Sequence, residues 1–126
     1  MEVFKNIKPE FVDERGAISI LLSGDNIPIK SVLLITSKTG SVRSNHYHKK
    51  DSHYCYILSG KAEWREKPVE GGEIESIVLN AGDMIYTPPM IVHSVKFLED
   101  TVFFAFSAES RERDDYEKDT EKVVLI

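Results

Sequence analysis

The chain has 126 residues, 41% hydrophobic and 29% charged, the balance of a soluble globular protein that buries one core without cross-links. Its 16 Lys and Arg against 21 Asp and Glu leave a net charge of −5 with no basic tract. That argues against nucleic acid as a partner, because binding a phosphate backbone needs a concentrated cationic face. No stretch approaches the roughly twenty apolar residues of a membrane span, and the opening MEVFKNIKPE lacks the apolar core of a signal peptide. The lone cysteine, Cys55, has no internal disulfide partner, which suits a reducing compartment. The expectation is one cytoplasmic domain over residues 1–126, with no membrane partner.

In chain order, residues 2–12 read as a short irregular strand ending near Pro9. The run 13–16 (DERG) is a turn in which Gly16 is free to take positive φ. Residues 17–22 (AISILL) read as a strand closed by a turn at 23–26 (SGDN). Residues 30–36 (KSVLLIT) form a near-continuous apolar run, expected to be central or buried on both faces. After a loop at 37–41 comes the stretch GSVRSNHYHKKDSHYCYILSG, residues 40–60, which holds His46, His48 and His53. Its second half, 52–59, is a strand; if His53 points inward, so do Cys55 and Ile57, leaving Tyr54, Tyr56 and Leu58 outward. Residues 61–66 and 74–79 form a hairpin around Glu70-Gly71-Gly72. A further turn at 80–83 leads to 84–87, and Pro88-Pro89 ends that strand and throws a loop across a barrel mouth. Residues 93–97 and 101–107 are the last core strands. The charged tail ESRERDDYEKDTEKVV reads as a short surface helix or an ordered wrap, most simply a solvated face. About ten short strands without long helical periodicity argue for an all-β sandwich or barrel.

All four histidines fall in two knots, residues 40–60 and 82–97. In a strand His46 and His48 share one face with Tyr47 on the other, so two imidazoles stand side by side as candidate metal ligands. The spacing resembles the cupins. Gly40, His46, His48 and Gly60 fall on the first cupin motif, with His53 where the family usually has Glu. Gly82, Pro88 and His93 fall on the second, with Met90 and Phe97 in place of its Gly and Asn. The resemblance implies a double-stranded β-helix, the cupin jelly-roll barrel, and a divalent transition metal on His46, His48, His53 and His93. Imidazole suits Fe, Ni, Cu and Zn far better than Mg or Ca, and the candidate ions are Fe, Ni, Zn, Cu or Mn. With His53 in place of the carboxylate, the ion would keep its full +2 charge and bind anions more strongly. The open alternative for His53 is a gate or neighbour of a three-ligand ion.

The run Arg43-Ser44-Asn45-His46-Tyr47-His48-Lys49 also resembles the sugar-nucleotide cupins. Their 3,5-epimerases carry Arg-Gly-Leu-His-Tyr-Gln and their ketoisomerases Arg-Gly-x-His-Ala-His-Lys. Residues 13–16 and 115–119 look like that group as well. There the resemblance makes His46 the base that removes a proton next to a ketone, and Arg43, with Lys49, a substrate-binding residue. A base needs a free lone pair, so the same His46 cannot also be a ligand. Ser44, Tyr47 and His48 depart from the isomerase pattern. Three functions stay open: a metalloenzyme on a small anionic or sugar-derived molecule, a metal-independent epimerase or isomerase of nucleotide-linked deoxysugars, and a non-catalytic metal- or sugar-binding domain. Finally, the outward Tyr54-Tyr56-Leu58 stripe and the doubly apolar TVFFAFS run lead us to expect a homodimer.

Overall fold

The computed structural model describes residues 1–24 and 28–126. Twelve strands and one short helix follow in order: β1 Glu2–Phe4, β2 Phe11–Asp13, β3 Gly16–Ile18, β4 Ser31–Ser37, β5 Val42–His48, β6 His53–Ser59, β7 Lys61–Pro68, β8 Glu75–Asn80, β9 Met84–Thr87, β10 Ile91–Phe97, β11 Thr101–Ser107, α1 Arg113–Asp119 and β12 Thr120–Lys122. Two five-stranded sheets, ordered β1-β9-β6-β11-β4 and β12-β5-β10-β7-β8, carry the fold, with every pairing antiparallel. They face each other as a jelly-roll barrel. The side chains between them follow the period-two alternation of strands. Cys55 and Ile57 of β6, Ala62 and Trp64 of β7, Val95 and Phe97 of β10, and Phe103 and Ala105 of β11 pack with Leu79 and Ile85 into one core. Phe97, where the cupin motif has Asn, is fully buried and stacks on Phe103 at 5.7 Å.

Most expected strands lie where the alternation puts them, and four readings change. The single irregular strand expected over 2–12 is two short strands in different sheets, β1 and, beyond Pro9, β2. The run at 17–22 supplies only the three-residue β3, which pairs with β2 alone. Asp25 and Asn26 of the expected turn lie outside the described residues. The run at 30–36 is not central: among the described residues β4 pairs only with β11, and Val32 and Leu34 point outward and exposed. Apolar side chains on both parities mimic a central strand in sequence whether or not a second strand covers the outer side. The outward stripe of β6 is also only partly open. Tyr54 is covered by Tyr86 at 4.6 Å and Phe4 at 6.2 Å between ring centres, whereas Leu58 is exposed. Among the described residues, no helix is long and apolar enough to cross a membrane.

Candidate metal centre and its cavity

The four histidines converge at one end of the barrel from three strands. β5 carries His46 and His48, β6 opens on His53, and β10 carries His93 paired directly opposite His46. A bulge aims them: Ser44 and Asn45 sit in left-handed backbone at φ 68° and 57°, and the β5–β10 register shifts there. Asn45 Oδ1 accepts hydrogen bonds from the Ser94 hydroxyl and from the Leu125 and Ile126 amides, which pins the bulge to the C-terminal segment. Ring nitrogens of His46, His48 and His93 lie within 4.8 Å of one another. His53 adjoins them, with its Nε2 at 3.3 Å from His93 Nε2.

The hydrogen bonds fix where the lone pairs point. Thr120 Oγ1 donates its proton to the Tyr116 carbonyl at 2.6 Å, so at 3.1 Å it accepts from His48 Nδ1. His48 Nε2 is therefore an unprotonated lone pair, and it is buried without any partner. The Ile91 carbonyl takes His93 Nδ1–H at 3.1 Å, which leaves His93 Nε2 as a lone pair too. A second nitrogen held by an oxygen acceptor is how ligating imidazoles are oriented. Two lone pairs converging on a third imidazole in a dry site fit a divalent transition ion. His53 stands differently: it has Cys55 Sγ at 3.5 Å from Nδ1 and the lone pair of His93 facing Nε2. Free of an ion, it is a donor to His93, so its place as a fourth ligand needs the opposite tautomer.

Burial is the leading cause of the electrostatics. It pushes His46 down to about 3, His48 to about 2 and His93 to about 4, and holds His53 well below its ordinary value. All four are neutral at neutral pH, the protonation state that coordinates. The Cys55 thiol is pushed up to about 12, again by burial, and stays protonated. Burial also raises Glu66, whose carboxylate accepts from Trp64 Nε1 and Thr87 Oγ1 at 3.1 and 2.6 Å. The Trp64 ring in turn lies parallel to His93, 6.1 Å away.

Above the cluster is a cavity of about 300 Å3. Leu33, Ile35, Val95, Phe103 and Ala105 wall it, and Arg43, Arg111 and Tyr116 stand at its polar side. Arg43 is exposed, with Nε on Ser37 Oγ at 2.7 Å and a terminal nitrogen on the Thr36 carbonyl at 3.1 Å. Lys49 is elsewhere: its ammonium is 2.9 Å from Glu121, which raises its pKa, and it borders a separate surface cleft with Lys30, Lys50 and Lys118. The tail forms both the short helix and the wrap that its sequence left open, but sequence reasoning did not single out Arg111, Tyr116 and Thr120 within it. Arg111 Nε meets Asp51 Oδ2 at 3.2 Å, and its guanidinium lies over the Tyr116 ring at 5.1 Å. The only signal for this was the likeness of 115–119 to the sugar-nucleotide cupins.

Residues 33–107 match the family model described as Cupin domain. The chain belongs to the cupin family. A double mutant of the 3,4-ketoisomerase QdtA from Thermoanaerobacterium thermosaccharolyticum, solved with TDP, is similar over 96% of this chain and 87% of its own. The identity is 27% and the TM-score 0.75. A dTDP-4-dehydrorhamnose 3,5-epimerase from Sulfolobus tokodaii is 19% identical over 91% of this chain and 73% of its own, with a TM-score of 0.75. The capsular polysaccharide assembling protein CapF from Staphylococcus aureus is 21% identical over 79% of this chain, which spans 27% of that protein, with a TM-score of 0.69. At those identities the last two share the fold. No curated protein matches the chain.

Proposed function

We propose that this cupin is a metal-binding enzyme acting on an anionic, sugar-derived substrate held above the histidine cluster. The observation that carries the metal is His48 Nε2, a buried lone pair with no partner, fixed by the Thr120 contact on its other nitrogen. His46, His48 and His93 would hold the ion (Fe, Ni, Zn or Cu by donor chemistry), with His53 beside them. When bound, such an ion supplies Lewis acidity toward a substrate oxygen. The chain supplies the rest. Arg43 and Arg111 offer planar, permanently charged guanidinium groups to a carboxylate or phosphate. Leu33, Ile35, Val95 and Phe103 exclude water and pack against the apolar face of a ring. The sugar assignment is supported by the similarity to the Thermoanaerobacterium ketoisomerase, which binds TDP.

A metal-independent isomerase or epimerase is the second reading, with His46 as the base. It is favoured by the ketoisomerase similarity and by His46 being the least buried of the four histidines. Against it, burial pushes His46 to about 3, far from the operating pH where a general base works best. One experiment separates the two. The protein is incubated in D2O with TDP-4-keto-6-deoxyglucose, the sugar nucleotide held by one solved ketoisomerase, before and after chelation. The metal reading predicts deuterium uptake next to the ketone that chelation abolishes and added metal restores. Uptake indifferent to chelation transfers the role to an uncoordinated His46.

A further inference from the structure

Arg111 is a permanent cation fixed beside the cavity. Its side chain is only 18% exposed, and its Nε donates to Asp51 Oδ2 and Ser107 Oγ, both at 3.2 Å. One face of the guanidinium lies over the Tyr116 ring, 5.1 Å from the ring centre. The N–H groups of a guanidinium lie in its plane, so this contact leaves them free to bond. Among the described residues, no hydrogen bond engages the two terminal nitrogens, yet the side chain borders the cavity above the histidines. Tyr116 links the two, since its ring centre is 6.1 Å from that of His46 and 5.8 Å from that of His48.

The cavity is short of negative charge. Among the described residues that line it are Arg43 and Arg111, and no Asp or Glu. The acids nearby are committed elsewhere. Asp51 holds Arg111 and the Glu109 amide, Asp119 holds the Lys50 and Asp51 amides, and Glu66 holds Trp64 and Thr87. After burial, Arg111 is a further cause that lowers all four histidines, so its field reaches the whole cluster. Neutral imidazoles cancel none of a divalent ion's charge. The inference rests on the metal reading above and narrows its substrate: the loaded cavity lacks an anion, and the substrate brings it.

The donors available decide which anion. With Nε taken by Asp51 and Ser107, Arg111 keeps the fork between its terminal nitrogens, the match for a planar carboxylate with two oxygens. A phosphate with a charge of roughly −2 brings a third oxygen, and the wall of Leu33, Ile35, Val95 and Phe103 has no donor for it. Arg43 is exposed and already bonded to Ser37 and Thr36, so an anion there is shared with water. The volume of about 300 Å3 is at the small end of ligand pockets, which suits one sugar ring. We propose that Arg111 is the specificity-determining residue of this site and selects a sugar acid. The carboxylate forks onto its two terminal nitrogens, and the ring packs on the apolar wall over the histidines.

The test is calorimetric titration of protein loaded with Ni and assayed for metal content. The probes are glucuronate and galacturonate, set against glucose, galactose and glucose 6-phosphate, which keep the ring and change only the group at its last carbon. A uronate is expected to bind about tenfold or more tightly than the neutral sugars and the 6-phosphate. Arg111→Lys keeps a cation beside Asp51 but loses the fork, and is expected to weaken uronate binding by about tenfold while the Ni content is unchanged. Protein that takes up no Ni refutes the metal reading and this inference together. Ni-loaded protein that binds the 6-phosphate as tightly as the uronates, or the uronates no better than the neutral sugars, overturns the inference and leaves the metal reading standing. A uronate preference that survives in Arg111→Lys overturns the assignment to Arg111. The wild-type series decides the substrate class even where that variant does not fold.

Discussion

Met90 and Ser44 occupy left-handed backbone, at φ 64° and 68°, at two positions where the motifs they resemble place glycine. An L side chain there crowds its Cβ against a carbonyl at about 1–2 kcal/mol. Met90 is 45% exposed, and its amide is held by the His48 carbonyl at 2.8 Å, so the conformation is imposed by the loop. Met90→Gly is therefore expected to stabilise the protein by roughly 0.5 kcal/mol, after allowing for glycine's freer unfolded chain. A lower urea midpoint for that variant would contradict this. Gly60 is the opposite case. At φ 100° a Cβ would meet the Asp100 carbonyl oxygen at 2.5 Å and Thr101 Cα at 2.7 Å, both backbone atoms that cannot yield cheaply. Gly60→Ala should lower stability by about 2 kcal/mol or more, read in the same urea titration. Thr120→Val removes the acceptor that fixes the His48 tautomer while keeping the shape. Its expected effect is about a tenfold weaker metal affinity in a competition titration, with little change in melting temperature.

The C-terminal element shows where sequence reading stopped. A run such as ESRERDDYEKDTEKVV is as compatible with a solvated face as with a wrap, because its partners lie far away in the chain. Asp51 receives Arg111 and the Glu109 amide, Asp119 receives the Lys50 and Asp51 amides, and β12 pairs with β5. The Asp51 carboxylate is buried, with Arg111 its counter-charge, so Asp51→Ala leaves a guanidinium unpaired in a partly dry site. We expect a loss of about 3 kcal/mol and faster tryptic cleavage at Arg111 and Arg113; unchanged cleavage would show that the tail holds without this ion pair. By contrast, β6, β7, β9 and β11 were legible to within two residues, because turn residues mark their ends, and in β7 alternation marks the inner face as well. β4 was misplaced within its sheet for the reverse reason: VLLI is apolar on both parities, and nothing local separates an edge strand from a central one. The His-x-His pair was legible from the two-residue period alone, whereas its convergence with His93 depended on the bulge at Ser44 and Asn45.

At the scale of the whole molecule, the barrel keeps four neutral imidazoles at one end, and that shapes its response to acid. The unfolded chain takes up protons on histidine near 6.5, while burial holds the folded groups at about 4 for His93, about 3 for His46, about 2 for His48 and well below normal for His53. Between those values the unfolded state binds more protons, so stability falls as the pH drops from about 6.5 toward 4. It should be nearly flat in this respect above 7. Melting temperatures across that range check this, and a flat profile down to pH 4 would mean that the histidines are solvated in the folded state. A bound ion deepens the effect, since protons and metal compete for the same lone pairs. The central claim is that these lone pairs hold a metal, and elemental analysis of the purified protein at neutral pH tests it most directly. The account predicts close to one transition-metal ion per chain, lost in His48→Ala and stripped by chelators. Wild-type protein that stays metal-free after growth and dialysis with Fe, Ni, Zn, Cu and Mn would contradict it.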